Sequence, residues 1–131
     1  TLRNVPTTGL GWEISPTGMY EILKQFQRYQ DVRELVITEN GAAFKDKPQD
    51  GKVDDHERTG YYQEYLDAVR KAKNEGVNIT GYFAWTLLDN FEWAHGYSAR
   101  FGLVFVDFKT QERTVKESGK WFAGFLKKSE K

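Results

Sequence analysis

The sequence contains no cysteine. That excludes disulfides and thiolate-bound metals, and it sets the expectation of a reducing, cytoplasmic setting, with secretion left open. An excess of either charge is also missing. Nineteen Lys and Arg face 19 Asp and Glu, for a formal net charge of zero. Such a chain has no electrostatic pull toward nucleic acid or an anionic membrane, which argues against both as main partners. No apolar run approaches the roughly 20 residues of a bilayer-spanning helix. Thr1 to Gly11 is polar and turn-rich, so no secretory leader is expected there. Repeats and low-complexity stretches are absent, as are a phosphate-cradling glycine motif, a Ser-His-Asp pattern and a nucleotide fingerprint. No cofactor is expected on these grounds.

Aromatic residues are plentiful: nine Phe, seven Tyr and four Trp. A large aromatic core would account for that number, but Trp85, Phe91, Trp93, Tyr97 and Phe101 are clustered. Two motifs belong together. Ile37-Thr38-Glu39-Asn40-Gly41 ends a β-branched run with a carboxylate. Trp85-Thr86-Leu87-Leu88-Asp89-Asn90-Phe91-Glu92-Trp93 places two indoles and another carboxylate after a second apolar run. Carboxylates beside aromatic faces suit a sugar-cleaving site. One anion can bond to carbon or stabilise positive charge there, another accepts hydroxyls, and flat rings cover the C–H faces of a pyranose.

The 131 residues are enough for one domain. Thr1 to Ser15 reads as a loop. Ser15 caps a helix with Pro16 in its first position, and Met19, Ile22, Leu23 and Phe26 carry the period to about Tyr29. Glu34 to Glu39 reads as a strand buried on both sides, and Gly41 to Gly51 as a loop. Asp54 or Asp55 caps a second helix, whose stripe is Tyr62, Tyr65, Leu66, Val69 and Ala72, with Gly76 as its stop. Val77 to Leu88 is a second buried strand, and Asp89 to Arg100 a long loop. Gly102 to Phe108 is extended, with room for a hairpin partner. Val115 to Lys127 forms a last amphipathic helix, and Lys127 to Lys131 a frayed tail. Two parallel strands with crossover helices are βα units. Two strands do not close a sheet, so the chain is expected to be a piece of something larger, or to dock onto a partner that supplies further strands.

These residues resemble glycoside hydrolase family 1, the β-glucosidase family. The resemblance covers nearly the whole chain, through Gly11-Trp12-Glu13-Ile14 with Pro16 and Gly18, Ile37 to Gly41, Gly81-Tyr82-Phe83-Ala84-Trp85, Asp89 to Trp93, Gly96-Tyr97, Arg100 to Leu103, Val106-Asp107 and Arg113. It implies an α/β fold, an eight-stranded (β/α)8 TIM barrel, of which residues 1–131 would be the C-terminal portion and not an autonomous domain. Glu34 to Glu39 would be strand seven and Val77 to Leu88 strand eight, with Glu39 and Trp85 at the strand ends where such barrels carry their chemistry. The family's acid/base Glu lies in an Asn-Glu-Pro motif that does not occur here. Asn74-Glu75-Gly76 is a superficial match at a helix end. The partner implied is therefore the N-terminal remainder of the barrel, and the substrate an unphosphorylated β-glycoside.

By the same resemblance, Glu39 is the nucleophile of a retaining mechanism, opposite a second carboxyl group about 5–5.5 Å away. Trp85 is the platform beneath the sugar, with a cis peptide to Thr86. Glu92 and Trp93 read the sugar's far hydroxyls, Phe101 walls the same subsite, and Trp12 lines the leaving-group side. Relatives that act on 6-phosphosugars lack the acid at Glu92. Asn40 and Arg100 are expected to be structural. Asp54-Asp55-His56 reads as an acidic helix start rather than a metal site. The isolated chain is expected to be inactive and poorly stable. Two alternatives stand beside this reading: a non-catalytic sugar-binding relative on the same fold, and an independent carbohydrate-binding module, which the βα order disfavours.

Overall fold

The computed structural model describes residues 4–129. The first residues of the expected opening loop and the last two of the expected tail lie outside them. The elements are α1 (Pro16–Phe26), β1 (Leu35–Asn40), α2 (His56–Asn74), β2 (Ile79–Ala84), β3 (Val104–Val106), β4 (Arg113–Val115) and α3 (Glu117–Ser129), with a 3-10 turn at Trp93–His95. Ser15 Oγ accepts from the Gly18 amide at 3.2 Å, and Pro16 opens α1, as the spacing predicts. The helix stops at Phe26, short of Tyr29. Arg28 N donates to Gln25 O and Tyr29 N to Phe26 O, the tighter bonds of a closing turn.

β1 and β2 pair in parallel with Leu35 opposite Ile79, Ile37 opposite Tyr82 and Asn40 opposite Ala84. A parallel pair cannot be joined by a tight turn, and α2 makes the crossover. One face of the pair is buried: Leu23, Ile37, Val69, Ala72, Val77 and Ile79 form one cluster with the helices. Nearer the carboxyl ends of the strands, Ala42, Phe44, Tyr61, Tyr62, Tyr65 and Leu103 form a second, with Trp121 and Phe122 of α3 against it. The expectation of strands buried on both sides fails on the opposite face, where Val36 is 45% and Phe83 61% exposed. Among the described residues no third strand joins this sheet, so alternate side chains meet solvent. β2 is also shorter than the expected Val77 to Leu88. Beyond Ala84 the chain leaves the sheet: Trp85-Thr86 is the predicted cis bond, and Leu88 bridges to Val104. The expected hairpin partner of β3 is β4.

The ends of these elements converge on a buried cluster of charges. Arg58 Nη2 lies 2.8 Å from Asp46, and Arg58 Nη1 also pairs with Asp55. Lys116 Nζ lies 2.5 Å from Asp46 and 2.8 Å from Asp89, and Arg100 Nη1 lies 2.7 Å from Asp89. Arg58, Lys116, Asp55 and Asp89 side chains are fully buried. Three carboxylates and three cations cancel. Burial opposes the charge on Arg58, but Asp46 and Asp55 outweigh it and raise its pKa. Burial and the Arg58 charge lower that of Lys116, against the pull of Asp46 and Asp89. Asp55 does occupy the N-cap position of α2, yet its carboxylate makes no cap bond. It accepts instead from the Ser118 amide at 2.8 Å and the Ser118 hydroxyl at 2.5 Å, fastening α3 to α2.

Breaking a dry ion pair leaves a bare charge behind. Arg58→Met or Lys116→Met in the full-length protein therefore lowers unfolding free energy by about 3–5 kcal/mol. Arg70→Met, which loses only an exposed partner, Asp67, changes it by less than about 1 kcal/mol. Thermal or denaturant unfolding of the three variants checks both figures.

Candidate active site

Glu39 is the penultimate residue of β1 and Trp85 the first residue after β2, so parallel pairing brings them to the same end of the sheet. The Trp85 amide donates to Asn40 O at 2.7 Å, and Tyr62 Oη donates to Trp85 O at 3.1 Å. The two backbones approach so closely that a Cβ on Gly41 would lie 1.7 Å from Trp85 O. No other residue fits there without moving the tryptophan.

Phe101 reaches the same end through the second loop. Thr86 N donates to Phe101 O at 3.3 Å, and Leu103 N to Thr86 O at 2.8 Å. Its ring is buried with Ala43 and Ala99, against Leu10 and Trp85. Trp12 comes from the loop before α1. Gly9 N donates to Ala43 O at 2.8 Å, tying that loop to the turn after β1. The Trp12 ring then sits 5.9 Å from that of Phe101, tilted by 43°. Glu92 is held by a turn in which its amide donates to Gly96 O at 2.8 Å and His95 N donates to its carbonyl at 2.6 Å.

Between these elements lies an open cavity of about 260 Å³. It is lined by Trp12, Glu39, Trp85, Glu92 and Phe101, five of the six residues singled out from the sequence, together with Asn40 and Gly41. Trp93 is not among them. It stands 85% exposed on the 3-10 turn and makes no ring contact among the described residues. The turn that fixes the Glu92 backbone closes on itself, and among the described residues no ring packs against the indole.

Neither Glu39 nor Glu92 has a side-chain hydrogen bond or ion pair among the described residues. The buried aspartates Asp46, Asp55 and Asp89 are fully engaged. Two unspent acceptor groups, two indoles and a phenyl ring around an open hollow can hold a flat-faced polyol, with carboxylate oxygens free to meet its hydroxyls or its carbon.

Arg100 is structural, as expected: Nη1 donates to Asp89 and to Val106 O, and the guanidinium lies 4.0 Å over the Phe105 ring. Asn40 holds tyrosines rather than facing the hollow with a free amide. His56 lies beside Asp54 on the exposed start of α2, while Asp55 is committed inward. The hydroxyls of Tyr61 and Tyr82 reach the end of β1, whereas the sequence signals Tyr82 only as part of the Gly81 to Trp85 motif and the α2 tyrosines Tyr62 and Tyr65 only as an apolar stripe. Tyrosine in a buried stripe is itself the signal, since its hydroxyl requires a partner.

The sequence matches the profile of glycosyl hydrolase family 1 over residues 2–131. It is 50% identical over 126 residues to a 1,4-beta-D-glucan glucohydrolase of Thermotoga neapolitana and 51% identical over 126 residues to beta-glucosidase A of Thermotoga maritima. It is 46% identical over 119 residues to a 6-phospho-beta-galactosidase of Clostridium acetobutylicum. Superposed on the family 1 β-glucosidase from T. maritima in complex with isofagomine lactam, it gives a TM-score of 0.93 over 95% of this chain and 29% of that one. The chain belongs to glycosyl hydrolase family 1. It spans 28% of the length of the two Thermotoga relatives, and its two parallel strands are part of a (β/α)8 barrel.

The contact at Gly41 yields a pair of opposite outcomes. Gly41→Ala overpacks the strand end and costs about 1–3 kcal/mol or more in unfolding free energy. Gly60→Ala, where the new methyl meets nothing within 4 Å, stabilises α2 by about 0.5–1 kcal/mol. Denaturant titration of the full-length protein distinguishes them.

Proposed function

We propose that the full-length protein is a retaining β-glycosidase acting on unphosphorylated β-glucosides, with β1 and β2 as strands seven and eight of its barrel. The observation that carries this reading is the unpartnered Glu39 carboxylate, which shares one cavity with Trp85 and Phe101 at the carboxyl ends of parallel strands. The names of the Thermotoga relatives support it.

In this mechanism a Glu39 oxygen bonds to the anomeric carbon as the bond from that carbon to the leaving oxygen breaks. A second carboxyl group, supplied from outside these 131 residues, gives its proton to the leaving oxygen. It then takes a proton from water, which displaces Glu39 and releases the sugar. Trp85 is the platform under the ring, Phe101 walls it, and Trp12 faces the leaving group. Glu92 accepts hydroxyls at the far end of the sugar, and Trp93 joins it once the rest of the protein covers the turn. The partner is the N-terminal remainder of the barrel. Without it the chain is neither active nor an autonomous domain, because one carboxylate cannot serve as both nucleophile and acid.

The Glu92 carboxylate also bears on the choice between plain and phosphorylated sugars. An anion at the far end of the sugar repels a 6-phosphate and accepts a 6-hydroxyl, which favours the glucosides named for the Thermotoga relatives over the substrate class of the Clostridium relative.

Two results test the reading in the full-length enzyme. A 2-deoxy-2-fluoro-β-glucoside with an activated aryl leaving group attaches its sugar to the peptide carrying Glu39, as read by mass spectrometry. Glu39→Gln lowers kcat on an aryl β-glucoside by a factor on the order of 10⁴ or more. Binding without turnover in the unmutated protein would instead indicate a non-catalytic sugar-binding relative. Separately, Glu92→Ala removes charge-assisted bonds of about 1.5–3 kcal/mol each. It therefore lowers kcat/KM for the glucoside about ten- to a hundredfold, and narrows the preference over a 6-phosphoglucoside.

A further inference from the structure

The residue after Glu39 is held from three directions. Tyr82 Oη on β2 donates to Asn40 Oδ1 at 2.7 Å, and Asn40 Nδ2 donates to Tyr61 Oη on α2 at 3.0 Å. Its backbone carbonyl accepts from the Trp85 amide at 2.7 Å. Tyr61 is buried and stacks on Tyr65 with ring centroids 4.2 Å apart, and Tyr65 Oη accepts from the Ser15 amide at 2.9 Å. Tyr82 packs against both buried clusters. Asn40 is thus bonded at once to the neighbouring strand, to the covering helix and to the residue that begins the indole platform.

Resting on the assignment of Glu39 as nucleophile, we propose that Asn40 is a positioning residue: the hydrogen-bonded clamp Tyr82–Asn40–Tyr61 fixes the end of β1 so that Glu39 and Trp85 address the same sugar. The argument is geometric. A strand end attached only by ladder bonds can rock, and β1 and β2 already lose regular register between Ile37 and Asn40. The side-chain amide replaces the missing ladder with bonds to two rigid elements, and the backbone carbonyl carries the same restraint to Trp85. Burial raises the pKa of both tyrosines, so they stay protonated and the clamp places no charge beside the nucleophile. Misplacing a reacting group by about 1 Å can cost about a hundredfold in rate, so a clamp of this kind acts on the chemical step and not on sugar affinity.

The test uses the full-length enzyme and the same fluorinated glucoside, reading the saturating labelling rate, the half-saturating concentration and the pH dependence of labelling. Tyr61→Phe and Tyr82→Phe keep their rings and lose one hydroxyl each. The saturating rate is expected to fall about tenfold or more in both, with half-saturation within about twofold and the acid limb of the pH profile unmoved. Asn40→Ala is expected to fall further. Val69→Ala, a buried cavity variant in the other cluster, loses stability of the order seen for core truncations and keeps its labelling rate. Labelling of Glu39 at the unmutated rate in both Tyr→Phe variants overturns the proposal, and so does an equal fall in Val69→Ala. If the unmutated enzyme is not labelled on Glu39 at all, the nucleophile assignment has failed instead.

Discussion

Six charges that cancel, five of them in a dry interior, hold together the end of this structure that carries the candidate site. Arg58 is the hub. Besides its carboxylates it donates to Ala42 O at 3.3 Å and Arg100 O at 2.8 Å, backbone groups next in the chain to the buried Ala43 and Phe101. Asp46 belongs to the loop after β1, Asp89 to the loop after β2, and Lys116 to the turn into α3. The ion pairs add to the backbone bonds that already tie these segments together, Phe44 N to Arg100 O, Asp89 N to Val104 O and Lys116 N to Leu103 O. Dry ion pairs contribute little net stability compared with well-packed apolar groups, but a misassembled version leaves bare charge, so they favour one arrangement of the loops over others.

Above the cluster the rule reverses. Asp46, Asp55 and Asp89 spend every acceptor on the protein, while Glu39 and Glu92 spend none among the described residues. The carboxylates that hold the fold and those that line the hollow thus differ in their partners. The rings around the hollow are treated in the same way. Phe101 is sunk to 4% exposure as a fixed wall, and Trp12 is left 51% exposed at the rim.

Much of this was legible in the linear sequence because it rests on local chemistry. Ser15 and Pro16 mark a helix start wherever they occur together with a periodic stripe, and the apolar runs Glu34 to Glu39 and Val77 to Leu88 announce strands, the second of which stops at Ala84. Strand burial was misjudged because Leu35-Val36-Ile37 reports an apolar surroundings that the described residues supply on one face only. Local spacing offers Asp54 or Asp55 as the cap of α2, and Asp55 takes that position, but its carboxylate goes to Ser118, far along the chain, which no local pattern marks. The ionic hub was invisible for the same reason: Asp46, Arg58, Asp89 and Lys116 have no spacing that marks them as neighbours. The resemblance pairs Trp93 with Glu92, and among the described residues the turn carries its indole outward, away from the hollow.

Buried charges respond to their surroundings differently from surface ones. Counterions do not reach Arg58 or Lys116, whereas they screen an exposed pair such as Arg70 and Asp67. Water also solvates ions less favourably as it warms, so the cost of keeping the buried members of the cluster dry falls on heating. The loops that carry the candidate site are therefore fastened by a device that tolerates heat and brine.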